Sequence, residues 1–143
     1  MSVLEVLEVS SKYETNIIPV LSQSEKEYLG YAEIGSIIRD FGETPFMSEY
    51  GTVIIVQNGI NDHSFSKISQ IVESNNTKIL GVYISDITND VVETTLKVGN
   101  GDINTILQTF RRYGYQVVID HVSDVLLSNL KDRSRYFNRY LNI

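Results

Sequence analysis

A strand–helix–strand pattern occurs twice in succession within residues 52–121, and this internal repeat constrains the fold more than any other feature. Each unit has two short runs rich in β-branched residues, which suit strands half-buried on a pleated surface. The amphipathic segment between them repeats its apolar residues three and four positions apart, as on one face of a helix. The predicted strands are residues 52–56, 78–84, 91–98 and 115–119, and the helical faces are Phe65, Ile68, Ile71 and Val72, and Ile103, Ile106, Leu107 and Phe110.

The ends of both helical segments carry residues that suit helix termini. Asn75, Asn76 and Gly114 follow the segments, where a residue able to adopt positive φ stops a helix. Asp102 precedes the second segment and can accept a hydrogen bond from a free amide. The resulting β-α-β-β-α-β order predicts an α+β fold, a ferredoxin-like sandwich in which two helices back an antiparallel sheet.

Composition and charge limit the remaining possibilities. With 42% hydrophobic and 21% charged residues, the sequence predicts a globular protein. It has no apolar run of about 20 residues and no N-terminal basic region followed by an apolar stretch, so we expect a cytoplasmic protein without membrane association. The first 50 residues carry nine of the 18 acidic side chains but only three of the 12 basic ones. This shift, together with Pro45 and Gly51, predicts a boundary near residues 42–50.

The part before that boundary predicts a helix–strand–strand–helix unit. Val3, Val6 and Leu7 mark one face of a first helix, which ends near Tyr13. Residues 17–21 and 28–32 predict two short strands joined by a polar turn. The second helix carries Ile34, Ile37, Ile38 and Phe41.

Three segments together resemble a known family over nearly the whole chain. The run Ile18-Pro19-Val20-Leu21, the polar turn, Tyr28-Leu29-Gly30-Tyr31 and a helix ending in Phe41 resemble the second half of a CBS motif. Residues 51–122 resemble an ACT-like domain, and residues 130–143 resemble the tail of bacterial CBS-pair proteins that end in such a domain. The resemblance implies a partial CBS motif at 1–43, a linker at 44–50, an ACT-like domain at 51–122 and a C-terminal helical tail at 123–143. It also implies that a first CBS motif and the start of the second precede this sequence.

The resemblance further implies a non-enzymatic regulatory module that senses a small molecule as a homodimer. CBS pairs commonly bind adenosine nucleotides, and the matching positions are Ile18, Pro19, Gly30, Glu33 and Ser36. Glu33 stands where a Thr or Ser usually holds phosphate, and its carboxylate would repel that group. Ser36 replaces the usual Asp and cannot be a bidentate ribose acceptor.

ACT domains commonly bind amino acids, and the resemblance places that ligand at Asn58, Gly59, Asp62, His63 and Ser64. Asp62 and His63 replace the usual Asp-x-Pro-Gly-like turn. The amides at the following helix start can still attract an anion, and a longer loop over residues 57–63 is an alternative binding element. No cofactor is implied beyond a regulatory nucleotide or amino acid.

The sequence also bears on two other function classes. A structural homodimerisation module with decayed ligand sites is the alternative that the departures at Glu33, Ser36 and His63 favour. An enzyme is disfavoured, because the sequence lacks cysteine, an acid/base cluster and a recognisable cofactor loop. His63 and His121 are not at metal-ligand spacing, so no metal site is predicted.

Nucleic-acid binding is also disfavoured. RNA-recognition domains of this fold stack bases on aromatic residues of the central strands, and residues 52–56 and 91–98 contain none. The net charge of −6 also opposes binding to a phosphate backbone. The apolar residues of the tail, Leu126, Leu130, Phe137 and Leu141, predict a helix that packs on the sandwich or on a partner subunit.

Overall fold

The computed structural model describes residues 1–119. The chain divides into two compact units, residues 1–48 and residues from 49 onward. This division falls inside the predicted linker at residues 44–50. The described residues form an α+β protein with five helices and two antiparallel sheets. The predictions for His121 and for the tail at 123–143 lie outside the described residues.

The first unit is a two-stranded hairpin with helices before and after it. Its elements are α1 (Val3–Tyr13), β1 (Ile17–Leu21), β2 (Tyr28–Glu33), α2 (Ile34–Gly42) and the one-turn helix α3 (Pro45–Ser48). A capping box starts α1, because the Ser2 hydroxyl accepts from the Glu5 amide while the Glu5 carboxylate accepts from the Ser2 amide. Val6, Ile18 and Ile34 form a small buried cluster. Helix α3 occupies most of the segment predicted to be a linker.

The second unit has the predicted β-α-β-β-α-β order. Its elements are β3 (Thr52–Gly59), α4 (Phe65–Ser74), β4 (Ile79–Thr88), β5 (Val91–Val98), α5 (Ile103–Arg112) and β6 (Gln116–Ile119). The four strands form one antiparallel sheet in the order β4-β5-β3-β6. This arrangement is compatible with a ferredoxin-like fold.

One face of that sheet forms the core together with both helices. Ile54 and Val56 of β3 and Leu96 and Val98 of β5 pack with the apolar faces of α4 and α5. The helical members of this cluster are the predicted residues Ile68, Ile71, Val72, Ile106, Leu107 and Phe110. Burying each such side chain contributes about 1.5–3 kcal/mol, so this cluster is the main source of stability of the unit.

The other face, called here the open face, carries a hydrogen-bonded network across three strands. Glu93 of β5 accepts from the amide of Gln57 at 2.9 Å and from the hydroxyl of Ser85 at 3.0 Å. The Thr95 hydroxyl in turn donates to Ser85 Oγ at 2.9 Å. Because these residues belong to β3, β4 and β5, the network ties the register of all three strands.

Two boundaries differ from the sequence prediction. Strand β4 continues to Thr88, and the hairpin turn is the pair Asn89 and Asp90, whose φ values of 52° and 60° match a two-residue type I′ turn. Strand β4 also contains a bulge at Ser85, because Ile84 pairs with Thr94 and Asp86 already pairs with Glu93. Strand β3 continues to Gly59, beyond the predicted end at Val56.

Candidate functional site

The residues predicted to bind an amino acid lie at the end of β3 and in the turn that leads into α4. Asn58 and Gly59 are strand residues that pair with Val92 and Val91 of β5. The expectation of a loop beginning at residue 57 is therefore wrong, and the connection is confined to residues 60–64. Only Asp62, His63 and Ser64 of the predicted set belong to it.

Local hydrogen bonds hold this short connection in place. The Ile60 amide donates to the carbonyl of Asp90 at 2.8 Å, and the Asp62 amide donates to the carbonyl of Gly59 at 3.0 Å. The Asp62 carboxylate folds back, with Oδ2 lying 3.7 Å from the position that a Cβ on Gly59 would take. The Asp62 carboxylate therefore lies near the end of β3.

The turn ends at the N-terminus of α4. Ser64 is the N-cap, and its hydroxyl accepts from the Lys67 amide at 3.4 Å. The amides of Phe65 and Ser66, in the first turn, have no intrahelical acceptor. They and the helix dipole make this end attractive to a carboxylate, and no acidic residue occupies the first turn.

His63 is the first of two side chains near this turn with an unpaired buried polar atom. Its ring packs edge-on against Phe65 at a centroid distance of 5.1 Å. Nδ1 of the ring is buried and has no hydrogen-bond partner among the described residues. Since buried polar atoms nearly always have a partner, Nδ1 is a candidate ligand contact.

Tyr115 is the second such side chain, and it is not among the residues predicted to bind a ligand. It is 4% exposed, packs edge-on against Phe110 at 5.3 Å, and buries a hydroxyl without a partner among the described residues. Burial raises the pKa of this hydroxyl above its ordinary value of 10.0, and the negative charge of Asp62 raises it further. The hydroxyl of Tyr115 is therefore near enough to the turn to interact with the charge of Asp62.

The sheet order explains why Tyr115 lies near the turn. Strand β6 runs antiparallel beside β3, and Gln116 pairs with Gln57. The residue before β6 therefore lies next to the residues that end β3. The strand order of a ferredoxin-like fold was the signal that could have identified Tyr115 from the sequence.

We use the name loop site for the predicted set, Asn58, Gly59, Asp62, His63 and Ser64, together with Tyr115. It offers a carboxylate, free helix amides, an imidazole nitrogen and a phenol. These groups can bind a small molecule that carries both a positive and a negative charge. Residues 1–119 bring together no three His, Cys, Asp or Glu side chains that could hold a metal ion.

The residues predicted to bind a nucleotide lie in the first unit along the hairpin and the start of α2. Ile18 and Pro19 belong to β1, where they pair with Ala32 and Tyr31. Gly30 pairs with Val20 at a bulge and has φ of 147°, a value that other residues rarely adopt.

Glu33 and Ser36 lie where α2 begins. Glu33 is the N-cap but makes no side-chain capping bond, and Ser36 lies in the first turn. Glu33 Oε1 lies 3.8 Å from the position that a Cβ on Gly35 would take, so the carboxylate itself lies against the helix start. A phosphate at this helix N-terminus would face that negative charge.

Residues 1–119 form an α+β protein whose second unit is compatible with a ferredoxin-like arrangement. No protein-family model matches the chain, and no curated protein sequence matches it. None of the helices within residues 1–119 is long and apolar enough to cross a membrane.

Proposed function

We propose that the protein is a non-enzymatic regulatory module of CBS/ACT type that binds an amino acid at the loop site. The observation that carries this proposal is the pair of unpartnered buried polar atoms, Nδ1 of His63, which directly precedes the N-cap of α4, and the hydroxyl of Tyr115. An unpaired buried polar group costs about 1–3 kcal/mol, and a ligand that hydrogen-bonds it recovers part of that free energy on binding.

The charges of the loop site match those of an amino acid. The ligand carboxylate would bind the amides of Phe65 and Ser66, where the helix dipole favours negative charge. The ligand ammonium group would pair with Asp62, which is exposed. An adenosine nucleotide is the less suitable ligand, because the nucleotide positions of the first unit include the carboxylate of Glu33 at the start of α2.

A thermal-shift and calorimetric screen of the twenty amino acids tests this proposal. A ligand present at 100 times its Kd stabilises the folded state by about 2.7 kcal/mol. Asp62→Asn should reduce the affinity for the amino acid that binds by about tenfold or more, because a charge-assisted contact is lost. Asp40→Asn is the matched control, since Asp40 is an exposed carboxylate of the first unit. Absence of binding by all twenty would refute the proposal.

The open face favours a second function, structural homodimerisation. Val53, Tyr83 and Val118 are exposed beside the Glu93 network, and β4 is a ten-residue strand at the edge of the sheet. Exposed apolar faces and sheet edges promote association. Sedimentation should then give a dimer that Val53→Asp converts to a monomer, whereas Leu29→Asp on β2 of the first unit leaves it dimeric. A wild-type monomer would exclude this function.

A further inference from the structure

A groove lies between α4 and the C-terminal end of α5. It has a volume of about 320 Å³. From α4 it is lined by Lys67, Gln70 and Ile71, and from the C-terminal end of α5 by Thr109, Arg112 and Tyr113. Ser74 and Asn75 close the end of the groove where α4 stops.

Several of the polar groups in the groove already have partners within the helices. The Ser74 hydroxyl and the side-chain amide of Asn75 both donate to the carbonyl of Ile71, at 3.2 and 2.7 Å. The Thr109 hydroxyl donates to the carbonyl of Thr105 at 2.7 Å. Among the side chains that line the groove, Lys67, Gln70, Arg112 and the hydroxyl of Tyr113 make no hydrogen bond within residues 1–119.

The available donors make the groove positive in a chain of net charge −6. Lys67 and Arg112 form no ion pair with any carboxylate of residues 1–119, and no acidic residue lines the groove. Two unpaired cations that line one concave surface repel each other and favour an anion between them. The guanidinium of Arg112 lies 5.8 Å from the ring centre of Tyr113, which is a cation–π contact.

We propose that this groove is a binding site for a small phosphate monoester. The planar guanidinium of Arg112 can bind two phosphate oxygens at once, and Lys67 adds a second positive charge. The side-chain amide of Gln70 supplies a neutral donor. Ile71 and the exposed ring of Tyr113 supply apolar surface for the organic part of the ligand.

The size and the wider electrostatics point to a small ligand and not to a nucleic acid. A volume of about 320 Å³ is at the lower end of the range for small-molecule pockets. A long phosphate backbone would extend past the groove and meet the excess negative charge of the chain. The site is separate from the loop site and does not depend on the proposed amino-acid function.

Amide NMR titrations of the full chain with inorganic phosphate and with phenyl phosphate, at constant ionic strength, test the proposal. We expect saturable shifts confined to Lys67, Gln70, Asn75, Arg112 and Tyr113. Phenyl phosphate should bind more tightly than phosphate, because its ring adds contact with the apolar lining. Equal affinities would overturn the assignment of an organic ligand.

Two double variants that remove the same positive charge, inside or outside the groove, distinguish a specific phosphate site from general electrostatic attraction. Lys67→Gln with Arg112→Gln should weaken phenyl phosphate about tenfold or more, because two charge-assisted contacts are lost. Lys78→Gln with Arg39→Gln removes the same charge outside the groove and should leave the affinity unchanged. Equal weakening in both double variants, or no saturable shift in the wild type, would refute the site. Arg112→Lys keeps the charge and should still weaken binding, because the bidentate contact is lost.

Discussion

Replacing Tyr115 by Phe should stabilise the protein, which is unusual for a substitution in a core. The change keeps the ring and its packing against Phe110 and removes only the hydroxyl oxygen. That oxygen is buried without a hydrogen-bond partner among the described residues. In the unfolded chain the hydroxyl is hydrated, so folding loses a hydrogen bond to water that nothing replaces.

The size of the effect follows from this loss. A buried donor left without a partner costs about 1–3 kcal/mol. Tyr115→Phe should therefore raise the free energy of unfolding by about 1–2 kcal/mol, the lower part of that range, since a small cavity replaces the oxygen. For a domain of this size, each kcal/mol corresponds to a rise in Tm of about 4–8 °C.

Urea unfolding followed by far-UV circular dichroism measures the difference in the free energy of unfolding. The slope of this free energy against urea concentration should be the same in both proteins, because they expose the same surface on unfolding. Tyr113→Phe is the matched control, because Tyr113 is 61% exposed and its hydroxyl can be hydrated in the folded state. This control should change stability by less than about 0.5 kcal/mol. A loss of stability in Tyr115→Phe would show that the hydroxyl has a partner and would refute the reasoning.

The dependence of the free energy of unfolding on pH above 10 gives a second test of the same residue. The pKa of Tyr115 is raised in the folded state above 10.0, by burial and then by Asp62. A raised pKa means that the neutral form is favoured on folding, so this contribution is fully present below pH 10 and is lost as the pH rises through the folded value. The advantage of Tyr115→Phe over the wild type should therefore grow above pH 10, as urea unfolding at increasing pH will show.

Three further predictions address the framework around the sites. A Cβ on Gly51 would overlap a backbone carbonyl oxygen of β5, so Gly51→Ala should cost about 1–3 kcal/mol in urea unfolding, whereas Gly42→Ala, which meets open space, should not destabilise. Phe110→Ala should cost about 3–5 kcal/mol, because the side chain is fully buried, and a smaller loss would show that the core collapses around the cavity. Hydrogen bonds from the hydroxyl and the amide of Thr105 hold the pKa of Asp102 below its ordinary value of 3.8. This stabilisation is present above that value and lost as the pH falls through the folded pKa, so acid should destabilise the wild type more than Asp102→Asn, and parallel acid curves would contradict this.

The helices of the second unit and the face that each buries were predictable from sequence, because one apolar stripe and one cap define an amphipathic helix. Asp102 caps α5 as predicted, and all three buried apolar residues of α4 were predicted. Phe65, predicted on the same face of α4, is 44% exposed, and Ser64, predicted only as a ligand contact, is the N-cap of that helix. The sequence of the repeat also predicts the order of elements. The CBS and ACT resemblance stays a prediction.

The strand ends and part of the loop site were not predictable in the same way. Gln57 and Asn58 are polar, and their sequence predicts a loop. They continue β3 because they pair with Glu93 and Val92 of β5, and the side-chain amide of Gln57 also donates to the Glu93 carboxylate. Tyr115 lies near the loop site only because β6 pairs with β3, which is distant in sequence. Such effects arise from pairing between strands, and a local pattern does not contain them.

The bulge at Ser85 gives β4 one residue more than its partner strand requires. Ile84 pairs with Thr94 and Asp86 pairs with Glu93, so Ser85 lies between two consecutive pairs and has no partner of its own. If Ser85 were deleted, both pairs could remain and the strand would pair without a bulge at this position. Ser85 is thus one of two positions, with Leu80, at which β4 has a residue without a partner on β5 and can shorten while the paired residues on either side keep their partners. The same residue links Thr95 to Glu93, so a chain that lost Ser85 would also lose this link on the open face and keep only the hydrogen bond between Gln57 and Glu93.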